Sequence, residues 1–528
     1  MNQYFCTKDS PVVGTKQGQL RGFYYDGIYH FLGVKYAKAK RFQMPEEPDS
    51  WEGIKDAFAY GYICPVLVQA APGDERICPH RFWIENENCQ NLNVWTDTLD
   101  ANAKKPVMVW FHGGGYSAGS AVEHIAYEGD RLAKYDGVVT VCVNHRLNAF
   151  GHLDLSMFGE KYKNSVNVGI ADLVAALKWV KENIAGFGGD PENVTIFGQS
   201  GGGGKVTTLG QTPDADGLFQ KAIVMSGVFD KTEVEAEDNE VDPKEFALEI
   251  LGQLNLTEKD VESLEKVPSR LFIRAVNKAS RKFELAGKRI NWAPHQNYWY
   301  VGDPFEVGFR DHYQTIPAMV GSTFGEFYRE GDVFDKDELP EAERAAKLKE
   351  RFGDKASEVT ELFKKAYPGK NELYAIDTDV VCRGASAKYV RLKAETAKAP
   401  TYCYMFATCF EFDGGRAPWH CSDIPYFFHN AEVIPYTHSV PYWEALQRQM
   451  VASFVNFAKC GDPSNIYSPA WIPSTGKDLY TTVFDEKTEV KKNYDDELIK
   501  LVKTMSEPFG FHGVTPDEDE DSDRKWTY

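Results

Sequence analysis

No stretch of the chain approaches the roughly 20 consecutive apolar residues that a membrane-spanning helix requires, so an integral helical membrane protein is not expected. The start, Met1-Asn2-Gln3-Tyr4, lacks both a basic segment and an apolar run, and a secretory signal is not expected either. Cysteine is sparse, with 10 in 528 residues and no CxxC pair, which argues against a zinc ribbon or a disulfide scaffold and makes a reducing cytoplasm the expected compartment. Basic residues are in deficit: 59 Lys and Arg stand against 78 Asp and Glu, for a formal charge of -19. Nucleic acid and anionic membrane surfaces would be repelled, whereas a small neutral or cationic molecule would not. Part of the acidity is local to Asp517–Asp523, read as a solvated tail over about 515–528.

Linkers rich in Pro, Gly or Ser and internal repeats are also missing. A single domain over 1–528, as a monomer or weak homo-oligomer, is therefore expected. Within it, Pro106–Phe111, Val138–Val143, Asn193–Phe197, Lys221–Met225 and Ile316–Val320 are short apolar runs that read as buried strands. Between the second and third, Ala171–Ile184 sets Leu173, Val174, Leu177 and Val180 at three- and four-residue steps, the stripe of a helix. Strand, helix, strand alternation predicts an α/β fold with a mainly parallel sheet flanked by helices. The stretches about 231–290 and 335–400, rich in Ala, Glu, Lys and Leu, read as helical insertions.

The run Asn193-Val194-Thr195-Ile196-Phe197 leads straight into Gly198-Gln199-Ser200-Gly201-Gly202. That is G-x-S-x-G in strand-to-helix context, a nucleophile elbow, with Ser200 as the nucleophile and glycines where side chains would collide. A phosphate-binding loop is excluded because Gln199 holds the position of its first Gly and Val206 that of its Ser or Thr. A second motif, His112-Gly113-Gly114-Gly115-Tyr116, follows the strand at 106–111 and has the form of an oxyanion loop. Gly113 and Gly114, with Gly201, are the candidate N–H donors. Its chance match to a dinucleotide fingerprint, Gly113-x-Gly115-x-x-Ala118, lies mid-chain with no helix opening after it.

A serine at neutral pH needs a base and an acid to orient that base. In this fold the chain order is Ser, acid, His. His420 is the best-placed base, with His295, His312, His429 and His438 as alternatives. Glu326, just past the strand predicted at 316–320, is the candidate acid; as a bare residue it reads more readily as a surface carboxylate.

From Phe187 to Gly202 the sequence resembles, along its whole length, the serine signature of the type-B carboxylesterase family, which includes p-nitrobenzyl-type bacterial esterases and the cholinesterases. The likeness runs from about Pro11 to about Phe509 and includes Glu87–Trp95, where the family has a second signature. It implies an α/β-hydrolase fold with helical insertions over the active site, Ser200 as nucleophile, Glu326 (in Gly321–Glu326) as acid, and His420 (in His420–Tyr426) as base. Ser226 looks like the family's supporting serine near the triad. The implied activity is hydrolysis of small to medium, largely apolar carboxylic esters through an acyl-enzyme, with no cofactor and no metal; no HExxH motif occurs.

The chain departs from the family at Gly201, where Ala is usual, at Phe327 for Gly, at Asn88 for Asp and at the Gln90-Asn91 pair. Cholinesterases carry Glu where Gln199 stands, so a charge that would favour a quaternary amine is missing; Trp83 lies in the loop where they hold a choline-stacking Trp. Cys64 and Cys89 resemble a pair bridged in secreted relatives and are expected as thiols in a reducing cytoplasm. Rival readings are the same machinery acting on amides, carbamates or lactones, and a non-catalytic binding protein. The second is disfavoured because all three triad candidates are present. Tyr116, Trp83, Trp292, Tyr298, Trp299, Phe327 and Phe427 are the aromatic candidates for a pocket wall, core packing being the commoner fate of such residues.

Overall fold

Apolar runs with no polar alternation need cover on both faces, and the sheet supplies it. The computed structural model describes residues 4–68, 79–230, 239–327, 335–396 and 398–506; the tail expected at about 515–528 and the start of the insertion expected from 231 lie outside the described residues. Its strands are β1 (Tyr4–Phe5), β2 (Val12–Gly14), β3 (Gln19–Arg21), β4 (Phe23–Tyr25), β5 (Ile28–Lys35), β6 (Ile54–Asp56), β7 (Asn91–Thr96) and β8 (Lys105–Phe111). They continue as β9 (Val139–Asn144), β10 (Gly189–Gln199), β11 (Lys221–Met225), β12 (Ala318–Thr323), β13 (Thr401–Phe406), β14 (Tyr480–Phe484) and β15 (Glu489–Lys492).

Twelve strands form one sheet in the order β1-β4-β5-β7-β9-β8-β10-β11-β12-β13-β14-β15, while β2, β3 and β6 form a separate small sheet. All neighbours from β9 to β14 are parallel. Both flanks are antiparallel. This is the α/β-hydrolase architecture expected from the sequence. Every residue of β9, β11, β12 and β13 is buried, which is why they read as continuous apolar runs.

The helix expected at 171–184 is Val168–Asn183. The strand expected at 316–320 instead starts at Ala318 and reaches Thr323. Ile316 closes a turn by donating to Tyr313 O (3.2 Å), and Pro317 has no N–H for a ladder, so pairing begins one residue later. The insertions are helical as expected, with Pro243–Gln253 and Ser269–Leu285 in the first and Glu341–Phe352, Ala356–Ala366 and Cys382–Thr396 in the second. Among the described residues no helix is long and apolar enough to cross a membrane.

The strand order contains a switch that locates the site. From β8 the chain crosses to β9 on one side, then returns to β10 on the other, so connections leave β8 and β10 in opposite directions. A crevice opens at the carboxyl ends of such strands. There β8 delivers His112–Gly115 and β10 delivers Ser200, while two strands further on β12 and β13 end just before Glu326 and the loop holding His420.

Candidate active site

Ser200 joins β10 to the helix Gly201–Gly210 in a single residue, at φ 57° and ψ −129°. A non-glycine residue there costs on the order of 1–3 kcal/mol and persists only where surroundings fix it. They do: Ser200 N–H donates to Met225 O (2.8 Å) and Ser200 O accepts from Gly204 N–H (3.0 Å). The two motif glycines are sterically compelled. A Cβ on Gly198 would lie 2.5 Å from Gly202 C, and one on Gly202 would lie 2.0 Å from Phe111 O.

The loop His112–Gly115 packs directly on this turn. A Cβ at Gly113 would lie 3.3 Å from Ser200 Cβ, and Gly114 and Gly115 adopt φ of 84° and 63°, open to glycine at little strain. Among the described residues, no protein acceptor takes the backbone N–H of Gly113, Gly114 or Gly201. Gly113 and Gly201 border Ser200, and Gly114 follows Gly113 in the same loop.

Gly201 acquires a reason that sequence comparison alone does not give. A Cβ at this position would lie 2.0 Å from Gly115 O and 2.5 Å from Gly115 C and Cα. The glycine loop here sits closer to the elbow than an alanine allows.

Beneath the loop lie two titratable side chains, Lys205 and Glu123, that the sequence did not disclose. Lys205 is fully buried and donates from Nζ to His112 O (2.9 Å). Burial drives its ammonium down to about 7, against the pull of Glu123. Glu123 is itself pushed up to about 8 by burial, partly offset by Lys205. Burial also holds the imidazoles of His112 and His145, stacked at 5.1 Å, well below their ordinary value. The Gly204-Lys205 step, which mimics a phosphate loop in sequence, is thus a brace for the glycine loop.

Glu326 and His420 come together by backbone as well as side chain. Phe324 N–H donates to Phe406 O (2.9 Å), Gly325 N–H to Pro418 O (2.9 Å), and His420 N–H to Glu326 O, zipping the two loops that follow β12 and β13. Across this zip Glu326 Oε2 meets His420 Nδ1 at 2.5 Å, and Oε1 accepts from Thr323 N–H (2.8 Å). Glu326 is 1% exposed, so its surface-carboxylate reading does not hold. Neighbouring acids respond to it: burial, then the Glu326 charge, pushes Asp379 up to about 8 and Asp423 up to about 7.

The four alternative histidines lie elsewhere. His429 pairs with Asp136 (2.8 Å), His438 contacts Glu432 O (3.0 Å), His312 borders Asp216 (3.9 Å), and His295 N–H binds Asn167 (3.1 Å).

Among the described residues no hydrogen bond joins Ser200 Oγ to His420. Instead the Gln199 amide nitrogen lies 3.3 Å from His420 Nε2 and 3.4 Å from Nδ1, and its Oε1 accepts from Cys421 Sγ (3.1 Å). Phe327 stacks on the same imidazole at 4.5 Å. Such bonds are commonly long or misaligned in a resting enzyme and tighten with substrate. Ser226 is buried at the end of β11, and its Oγ has no hydrogen-bond partner among the described residues, so it makes no direct link to Glu326.

Of the aromatic candidates, Phe427 stacks on Phe454 in the core, and Trp299 is buried with Nε1 bound to Asp214 (2.8 Å). Trp292 packs on Phe246, Tyr298 is exposed, and Trp83 packs edge-on against Tyr60. Phe327 lies on His420, and Tyr116, which follows the glycine loop, contacts Thr208 (3.3 Å). Cys64 and Cys89 are free thiols, and Cys64 Sγ accepts from Leu147 N–H (3.2 Å).

Known proteins are similar to this chain in sequence and fold. The carboxylesterase family matches residues 9–502. The para-nitrobenzyl esterase of Bacillus subtilis (strain 168) is 30% identical over 506 residues, covering 92% of this chain and 97% of its own. Phenmedipham hydrolase of Pseudarthrobacter oxydans is 29% identical over 92% of this chain and 97% of its own. Among solved structures, an esterase from anaerobic Clostridium hathewayi, described as able to hydrolyse aliphatic aromatic polyesters, superposes with a TM-score of 0.92 at 44% identity, covering 96% of this chain and all of that one. A PNB esterase superposes at 0.72 with 28% identity, covering 93% of this chain and 99% of that one. By sequence over nearly its whole length, and by fold, this chain belongs to the carboxylesterase family.

Proposed function

We propose that the chain is a serine carboxylesterase in which Ser200, His420 and Glu326 form the catalytic triad and the N–H groups of Gly113, Gly114 and Gly201 form the oxyanion hole. The observation that carries the reading is the 2.5 Å contact of His420 with buried Glu326, together with a strained serine bordered by Gly113 and Gly201. In the reaction the Gln199 amide yields its place, His420 Nε2 takes the Ser200 proton, and Oγ attacks the ester carbonyl. Glu326 holds the proton on Nδ1 and stabilises the imidazolium. The oxyanion is met by the glycine donors, each worth about 3 kcal/mol in the transition state. His420 then protonates the departing alcohol and activates a water that releases the acid.

No step calls for a metal or an organic cofactor. Small to medium, largely apolar esters are the proposed substrates, since Phe327 lies on His420 and Gln199 contributes no charge to hold a cation. The likeness to the Clostridium hathewayi esterase adds esters that join aliphatic and aromatic parts. We place the enzyme in the cytoplasm as a single catalytic domain, in keeping with Cys64 and Cys89 as thiols. Ser200→Ala tests the reading: turnover of p-nitrophenyl butyrate should fall by roughly six orders of magnitude. Activity within tenfold of the parent would refute it.

A further inference from the structure

Outside the proposed triad, three ligand-type side chains converge where the chain returns past the oxyanion loop. One donor atom each from His80, Glu123 and His124 lies within 4.8 Å of the other two, and all three residues are half-buried. His80 Nε2 is 3.9 Å from Glu123 Oε2, and the rings of His80 and His124 meet edge-on at 5.3 Å. The backbone holds them in register: residues 80 and 124 form an antiparallel bridge, and Arg81 N–H donates to Glu123 O (2.6 Å).

Supporting contacts resemble those of a metal centre. A ring N–H of His124 donates to the carbonyl of Pro79, and the Glu123 carboxylate accepts from the Ser120 N–H and the Tyr127 hydroxyl. Ligating imidazoles and carboxylates are commonly fixed by such outer bonds, which set the tautomer and the lone-pair direction. Two imidazoles and one carboxylate are a ligand set that suits zinc and its neighbours, with the fourth position left to water. Donors about 2.1 Å from a tetrahedral ion stand about 3.4 Å apart. Closing the His80–Glu123 separation therefore takes about half an ångström, within side-chain rotation.

Glu123 also borders the oxyanion loop. A Cβ at Gly119 would lie 3.3 Å from Glu123 Oε1, 2.7 Å from His112 Nδ1 and 2.8 Å from Gly113 O. On the same loop, Lys205 Nζ holds His112 O (2.9 Å). We propose that His80, Glu123 and His124 bind one divalent transition-metal ion, zinc-like in preference, and that its occupancy slows ester turnover by drawing Glu123 away from the brace under the oxyanion loop. The kinetic half rests on the esterase reading; the binding half does not.

The test titrates Co²⁺ into the full-length, chelator-stripped protein and into His80→Gln and Glu123→Gln, reading the visible absorption of the ion without substrate. Near-UV circular dichroism confirms that each variant is folded. One equivalent should bind the parent, at least about tenfold more weakly in both variants. Saturating Zn²⁺ should lower kcat for p-nitrophenyl butyrate several-fold in the parent and leave His80→Gln unaffected. Absence of binding, or equal affinity in parent and both folded variants, overturns the site. Binding lost in Cys382→Ser rather than His80→Gln overturns it as well, by moving the ion to the Glu326, Cys382 and His420 cluster. Binding at the site with turnover unchanged overturns the regulatory half. A protein that binds metal but hydrolyses no ester would fail the esterase reading alone.

Discussion

Placing a methyl group at Gly201 probes the oxyanion loop and the elbow together. In Gly201→Ala the new Cβ starts 2.0 Å from Gly115 O and 2.5 Å from Gly115 C and Cα, all of them backbone. Ordinary contact begins beyond about 3.4 Å, so the Gly115 peptide must retreat by roughly an ångström or more. Overpacking of this kind costs typically about 1–3 kcal/mol of stability. The larger effect is on chemistry, because Gly113 and Gly114 move with the peptide that is pushed. Loss of one oxyanion donor corresponds to about 10²–10³ in kcat, which sets the upper bound, and a fall of about 100-fold is expected. KM should change little, since the donors face the developing oxyanion rather than the ground-state ester. The assay is steady-state hydrolysis of p-nitrophenyl butyrate, normalised to the fraction of protein that a fluorophosphonate labels, alongside thermal unfolding. A variant within twofold of the parent in kcat and unchanged in Tm would refute the proposed closeness of loop and elbow.

Gln199→Glu places a carboxylate against the imidazole now contacted at 3.3 Å. It should move the acid limb of kcat/KM to higher pH and raise preference for a choline ester over its uncharged isostere by about tenfold; identical profiles and preference would refute the role given to Gln199. Asp423 offers a test on stability. Its folded carboxyl, pushed up to about 7 by burial and then by Glu326, contrasts with about 3.9 in an unfolded chain, so the folded protein holds the extra proton between those values and stability falls as pH rises through that window. Asp423→Asn should flatten this part of a Tm-against-pH scan from pH 4 to 8; a slope unchanged from the parent would count against it.

The parts of the site that were legible in sequence are those where backbone sterics dictate residue type. Gly198, Gly202 and Gly114 are compelled by approaches that a Cβ would block and Gly115 by its φ of 63°, and such constraints leave a local, contiguous record. Parallel strands β8 to β12 were legible because burial on both faces demands unbroken apolar runs. His420 and Glu326 were less so: what unites them is pairing of the loops after β12 and β13, a contact across 94 residues, and β13 itself was not recognised although Thr401-Tyr402-Cys403-Tyr404-Met405-Phe406 has the aromatic and β-branched content of a strand. Choosing His420 among twelve histidines therefore drew on family likeness. The burial of Lys205 had no sequence signal, since lysine is a default surface residue and its partner is a carbonyl. The Gln199 contact was equally silent: the sequence marked the missing charge but not the amide resting on the imidazole.

The central claim is that Ser200 is a nucleophile activated by its surroundings, and covalent capture tests it most directly. After incubation of the full-length protein with a fluorophosphonate, peptide mapping by mass spectrometry should find one adduct per chain, on Ser200, formed in step with loss of esterase activity and absent from Ser200→Ala. An adduct on another residue that abolishes activity, or full activity persisting in protein labelled at Ser200, would contradict it.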